Sequence, residues 1–166
     1  MEVTIEKISK KYFKNALKIY NYYIVNSYSN FEEKKLTFNQ FHSNYKHIAK
    51  NKLPYLVALS EKKVVGLAYL NKFREKSGYR FAFENTIYVH DAHIRQGIGY
   101  KLLKELLNDS KKNKIIKFII AVIGSRGSKG SLILHEKLGF KKTGVLKKIG
   151  FKNNKWIDSI LLQKNL

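Results

Sequence analysis

The chain has 166 residues, 44% of them hydrophobic, and no cysteine. That size and apolar content fit one domain, residues 1–166, with a self-sufficient core, and exclude a disordered tail, a disulfide framework, a thiol nucleophile and a thiolate metal site; no run of roughly 18 apolar residues offers a transmembrane helix. The formal charge of +21 invites a nucleic-acid partner, but only four of the 33 basic residues are arginine (Arg74, Arg80, Arg95, Arg126) and the lysines are spread along the chain, so the charge reads instead as a diffuse field that would draw in an anionic cofactor.

The opening Met1-Glu2-Val3-Thr4-Ile5-Glu6 lacks the charged-then-apolar pattern of a secretory signal, which with the missing cysteines points to the cytoplasm. Val3 to Ile8 alternates as a first strand. Phe13, Leu17, Tyr20 and Ile24 fall on one face of a helix from about Lys11 to Ser27, and Phe38, Phe41, Tyr45 and Ile48 do the same for a second helix that ends before Pro54. Tyr55–Leu59 and Val64–Tyr69 read as a hairpin around Ser60-Glu61-Lys62, followed by a polar loop from Asn71 to Gly78 and a long strand, Arg80–Val89. A glycine loop and an amphipathic helix come next, then a buried strand Ile115–Ile123, a Gly/Ser loop Gly124–Gly130, a short helix Ser131–Leu138 and a last hairpin with arms near Val145–Phe151 and Trp156–Leu162. The order βααβββαβαββ predicts a mixed α/β fold: a central, mostly antiparallel sheet of about seven strands flanked by about four helices.

The glycine loop, Arg95-Gln96-Gly97-Ile98-Gly99-Tyr100, carries the first functional signal. The helix that follows it, with Ile98, Leu102, Leu103, Leu106 and Leu107 on one face, has no Asp, Asn, Ser or Thr at its start, so its orphan N–H groups are open to a ligand. Two glycines permit close approach of an anion to those amides and to the positive end of the helix dipole. A tight strand-to-helix turn explains the same residues without a ligand. There is no Gly-Lys-Ser/Thr ending, no third glycine at 102 and no acidic residue near Lys117, so neither a Walker loop nor a dinucleotide fingerprint fits.

Glu84 alternates onto one face with Thr86 and Tyr88, opposite Phe83, Ile87 and Val89. Flanked by Phe81 and Phe83, its carboxyl would have a raised pKa, useful in a general base. The pattern fits a surface glutamate equally well. His135 is either a neutral-pH proton donor or a helix-packing histidine. His90 and His93 have the spacing of a metal pair but no third ligand, so no metal is expected.

The segment Gly97-Ile98-Gly99 after a strand resembles the pyrophosphate loop of the Gcn5-related N-acetyltransferase (GNAT) superfamily, although Ile94 stands where that loop opens on a basic or amide residue. Further blocks resemble its phosphinothricin and methionine sulfoximine N-acetyltransferase branch: Ile19-Tyr20-Asn21-Tyr22-Tyr23-Ile24, Leu53-Pro54-Tyr55-Leu56-Val57-Ala58, Phe73-Arg74 … Tyr79-Arg80 … Glu84-Asn85-Thr86-Ile87-Tyr88-Val89, His135-Glu136-Lys137-Leu138-Gly139-Phe140, and Gly150-Phe151-Lys152 … Trp156-Ile157-Asp158. The resemblance spans the chain. It implies acetyl-CoA as co-substrate and direct transfer to the α-amine of a small amino-acid-like substrate, with Glu84 as base acting through water and His135 protonating the leaving thiolate. It also implies that the backbone of Ile87, Tyr88 and Val89 holds the pantetheine arm, that residues 95–100 hold the diphosphate, and that Ser128 stands nearest the branch's cofactor-contacting asparagine. Phe73, Arg74, Glu75, Arg80, Asn85 and Thr86 then form the substrate edge, an arginine pairing with the α-carboxylate and Glu75 disfavouring an anionic tail if it points inward. A homodimer is expected from the resemblance alone. A peptide N-terminus is the alternative acceptor, and Trp156, Phe73 and Tyr79 closing the site favour the small molecule.

Overall fold

The computed structural model describes residues 2–166; Met1 lies outside them. The elements run β1 (Thr4–Lys7), α1 (Phe13–Asn26), α2 (Phe38–Lys50), β2 (Tyr55–Ser60), β3 (Lys63–Lys72), β4 (Ala82–Val89), α3 (Ile98–Lys111), β5 (Phe118–Gly124), α4 (Lys129–Lys137), β6 (Lys141–Lys152) and β7 (Lys155–Asn165). One seven-stranded sheet has the order β1-β2-β3-β4-β5-β7-β6. Every neighbouring pair is antiparallel except β4–β5. This is the expected mixed architecture in the expected order.

Local chemistry explains where elements start and stop. Thr37 caps α2 in a reciprocal box with Gln40, each side chain meeting the other's backbone N–H. The β2–β3 turn places Glu61 and Lys62 at positive φ, and the β6–β7 turn does the same with Asn153 and Asn154. Both positions of such a hairpin turn must be left-handed, which asparagine tolerates and Glu-Lys does not favour.

Several boundaries differ from the sequence reading: β3 runs on to Lys72, β4 begins at Ala82 and not Arg80, and α4 begins at Lys129 and not Ser131. A 3₁₀ turn over Lys10–Tyr12 precedes α1, so the α-helix begins at Phe13. The strand expected from Ile115 begins at Phe118, because Asn113 holds a turn by accepting from the Ile115 N–H, leaving Ile115 exposed. The last hairpin is longer at both ends, its added residues being lysine-rich and so lacking the apolar signal of its middle. The buried stripe of α1 is also rotated: Ala16 and Ile19 are buried, whereas Leu17 and Tyr20 are half-buried.

The helices cover opposite faces of the sheet. α1 and α2 lie over the face that carries Tyr55, Tyr69 and Tyr88, where Tyr20 meets Tyr88 edge-on at 5.6 Å and Tyr55 lies 4.6 Å from Tyr69. α3 sits on the other face, with Leu102, Leu103 and Leu106 fully buried. Burial of one such leucine contributes about 1.5–3 kcal/mol, so this stripe anchors α3 firmly behind β3 and β4. Among the described residues, no helix is long and apolar enough to cross a membrane.

Candidate active site

The one parallel contact in the sheet is short. β4 and β5 pair only at Ala82↔Phe118, Phe83↔Ile119 and Glu84↔Ile120. Beyond Glu84, β4 follows β3 as far as Val89↔Gly66, while β5 follows β7 as far as Gly124↔Ser159. The two strands therefore part, opening a V whose inner edges carry backbone amides with no partner across the gap. The narrow cleft at its apex, about 80 Å³, is lined by residues Glu84–Tyr88, Ala121–Ile123, Ser131, His135 and Ser29. Beyond it the parted edges present backbone groups with which an extended ligand can pair as a strand would.

Glu84 is the last residue before the strands part. Its face is the tyrosine face, which also carries Thr86, opposite Tyr69 in register, and Tyr88. Burial raises the Glu84 carboxyl to about 7, and the opposing charge of Arg74 holds it from rising further. A carboxyl at that value is protonated and deprotonated with equal ease at neutral pH, which suits a proton acceptor in a cleft.

His135 enters from the opposite face of the sheet. Only 2% exposed, its ring stands edge-on to Phe140 at 4.9 Å. Nδ1 lies 2.7 Å from the Ser131 carbonyl, and Nε2 lies 2.9 Å from Asn85 Nδ2. The carbonyl can only accept, so Nδ1 carries a proton and donates it. Burial pushes the imidazole pKa down, opposed by that backbone bond. The neutral ring then holds a lone pair at Nε2 and accepts from Asn85.

α3 begins beside the mouth of the cleft. Gly97 is its N-cap at φ +77°, no side chain caps the first turn, and a Cβ on Gly97 would meet nothing within 4 Å. Amides without a side-chain cap, open space above them and a backbone that glycine adopts without strain together form an anion cradle. Gly99 has a different reason. A Cβ there would lie 3.3 Å from Leu134 and 3.7 Å from Val89, so this glycine lets α3 pack closely on α4 and β4. Arg95 is exposed at φ +61° beside the cradle, Gln96 Nε2 donates to the Ala92 carbonyl, Ile98 is buried and Tyr100 is exposed.

The expected substrate edge divides. Arg74 lies close enough for its charge to act on Glu84, and packs over Phe73, which meets Tyr79 edge-on. Arg80 instead covers Phe81 and donates to the Ser77 carbonyl. Glu75 points out, 79% exposed and paired with Lys72, so the condition attached to it (pointing inward) is not met. Asn85 and Thr86 line the cleft, whereas Ser128 is buried at the start of α4 and is not among its lining residues. Ile87 and Tyr88 line it too. The Val89 carbonyl is already occupied, accepting from Tyr23 Oη at 2.6 Å. Trp156 is exposed and packs on Phe151 at the hairpin tip, away from the cleft lining. His90 pairs with Asp91, and no three metal-ligating side chains converge among the described residues.

Several contributors to the site carry no periodic signal. Ser29, Tyr23 and Asn30 come from α1 and the loop after it; Ser29 lines the cleft and its carbonyl accepts from Tyr88. Only the polar run Ser27-Tyr28-Ser29-Asn30 between two apolar stripes hinted at a loop with work to do.

A splayed sheet, an uncapped helix start and a buried carboxyl–imidazole cleft suit an extended ligand with an anionic tail. The comparisons supply the class. The family model for the acetyltransferase (GNAT) domain matches residues 5–161, and the chain belongs to that family. It is 35% identical over 148 residues to the phosphinothricin N-acetyltransferase of Alcaligenes faecalis, covering 89% of this chain and 75% of that one. It is 34% identical over 121 residues to the L-methionine sulfoximine/L-methionine sulfone acetyltransferase of Salmonella typhimurium, covering 71% and 69%. The crystal structure of a phosphinothricin acetyltransferase from Sinorhizobium meliloti in complex with acetyl-CoA superposes with a TM-score of 0.93 at 32% identity, over 100% of this chain and 89% of that one.

Proposed function

We propose that this enzyme transfers acetyl from acetyl-CoA to the α-amine of a small amino-acid-like substrate of the phosphinothricin or methionine sulfoximine type, by direct transfer within a ternary complex. The observation that carries this reading is the parting of β4 and β5 at Glu84, which sets a carboxyl of pKa about 7 at the head of a strand-shaped cleft. The residues fit acetyl-CoA. The open edges of Ile87 and Tyr88 suit a pantetheine arm, the amides after Gly97 with Arg95 suit a diphosphate, and the thioester supplies an activated acetyl group. Gln96, Ile98 and Tyr100 belong to that turn, whereas Ser128 sits at the start of α4, outside the cleft lining.

Glu84 takes a proton from the substrate ammonium, directly or through water. The amine needs that loss before its nitrogen can attack a carbonyl. His135 serves the departing sulfur. Arg74, beside Glu84 and backed by Phe73, is the better of the two arginines for the α-carboxylate, because Arg80 is committed to Phe81 and Ser77. The test is a thiol-release assay on the two named compound types. Release on neither, with release on polyamines or peptides, overturns the substrate reading.

The exposed apolar side chains of the last hairpin, Leu146, Ile149, Phe151 and Trp156, support the expectation of a homodimer. Dependence on acetyl-CoA supports a cytoplasmic location.

A further inference from the structure

Asn85 stands on β4 one residue past the last β4–β5 pair, 7% exposed, and its amide is bonded on one side only. Nδ2 meets His135 Nε2 at 2.9 Å. Oδ1 is buried and accepts from nothing. Both ends of the amide are set by His135. The Ser131 carbonyl keeps a proton on Nδ1, so Nε2 of the neutral ring can only accept, and Asn85 must turn its NH₂ towards it. Oδ1 is thereby forced into the remaining direction, within a residue that lines the cleft. A buried carbonyl oxygen without a donor is unfavourable, and such groups normally find a partner.

We propose that Asn85 is a positioning residue: it holds His135 as a hydrogen-bond acceptor at Nε2 and offers its own Oδ1 to an N–H donor of whatever ligand fills the cleft. The donor is an amide N–H of the acyl-carrying arm or an N–H of the substrate amine. The two share one chemistry and are separated below.

This inference rests on acetyl transfer in the cleft and deepens it. His135 starts each turnover with no proton to give from Nε2, so it works as a relay and not as a stored acid. After Glu84 has taken one proton from the ammonium, the nitrogen uses its freed pair to bond the acetyl carbon. The C–S bond breaks with its pair on sulfur. The second proton displaced from nitrogen passes to Nε2 and on to sulfur, returning His135 to its starting form. While Nε2 carries that proton, the Asn85 NH₂ loses its acceptor, and the bond is remade once the proton has passed to sulfur.

The first measurement needs no activity. Ring ¹⁵N spectra of the ligand-free protein should show His135 as the neutral Nδ1–H tautomer at about pH 7. An Nε2–H tautomer or an imidazolium there overturns the proposal. In Asn85→Asp the neighbour can only accept when ionised, so the His135 titration midpoint should rise by roughly one pH unit or more; an unmoved midpoint also overturns it. Asn85→Leu removes Oδ1. At least a roughly threefold loss is expected in one of two titrations: weaker acetyl-CoA binding by calorimetry assigns the donor to the carrier arm, and a raised KM for the amine assigns it to the substrate. No change in either refutes the Oδ1 contact. If small amines prove not to be acetylated, the ring spectra and the acetyl-CoA titration still decide the role of Asn85.

Discussion

Replacing Glu84 with glutamine removes a charge that the fold holds at a cost. The rise of its pKa from 4.5 to about 7 corresponds to roughly 3 kcal/mol against the ionised form, at about 1.4 kcal/mol per pH unit. The folded state keeps this proton up to about pH 7, whereas the unfolded chain releases it near 4.5. Between those values the folded state binds more protons, so this group's contribution to stability is full below 4.5 and is lost as pH rises through 7. Glu84→Gln has no such loss. Against wild type it should be more stable by up to about 3 kcal/mol above neutrality, or roughly 6–12 °C in Tm, with the difference fading in acid. Urea melts across pH supply this test. In the thiol-release assay the same variant should lose about 10²–10⁴-fold in kcat/KM, recover partly at high pH, where more amine is already deprotonated, and lack the acidic limb near pH 7. A variant no more stable than wild type in alkali, or one retaining that limb, would refute both the buried carboxyl and its role as base.

Arg74→Ala should raise the KM for the amine by roughly tenfold while leaving that for acetyl-CoA nearly unchanged, and should move the acidic limb upward because its charge opposes the rise at Glu84; Arg80→Ala should do neither. Gly99→Val should overpack Leu134 and Val89 and cost about 1–3 kcal/mol in chemical denaturation. Gly97→Ala meets no neighbour but must adopt a left-handed φ, so about 1–2 kcal/mol of strain should accompany weaker acetyl-CoA binding in calorimetry. Glu75→Gln should leave the ratio of kcat/KM for methionine sulfoximine over phosphinothricin unchanged, since its carboxylate faces Lys72.

Elements with strong periodicity were legible in the chain itself. The α3 leucines, the β4 alternation that puts Glu84 with Tyr88, and the missing cap at Gly97 all follow from local pattern, and each is found in the fold. What escaped depends on contacts distant in sequence. Gly97 and Gly99 look alike in the chain, yet one is required by φ and the other by the neighbours of its missing Cβ. Asn85 and His135 are 50 positions apart, and no spacing rule pairs them; their bond exists because β4 and β5 part, which lets α4 reach the strand edge. The loop after α1 lies over the cleft by packing alone, so Ser29 carried no signal beyond the polar run it belongs to. The outward turn of Glu75 is set by Lys72, three residues back, on a strand end whose twist no alternation rule describes.

The central claim is acetyl transfer to an amino-acid α-amine in the cleft between β4 and β5. The most direct measurement is acetyl-CoA-dependent thiol release over one panel: methionine sulfoximine, phosphinothricin, free amino acids, polyamines and N-terminal peptides, with the acetylated product identified by mass. N-acetyl product is expected from at least one of the first two, with kcat/KM reduced about 10²–10⁴-fold in Glu84→Gln at neutral pH. Product from peptides or polyamines alone, or turnover indifferent to Glu84, would contradict it.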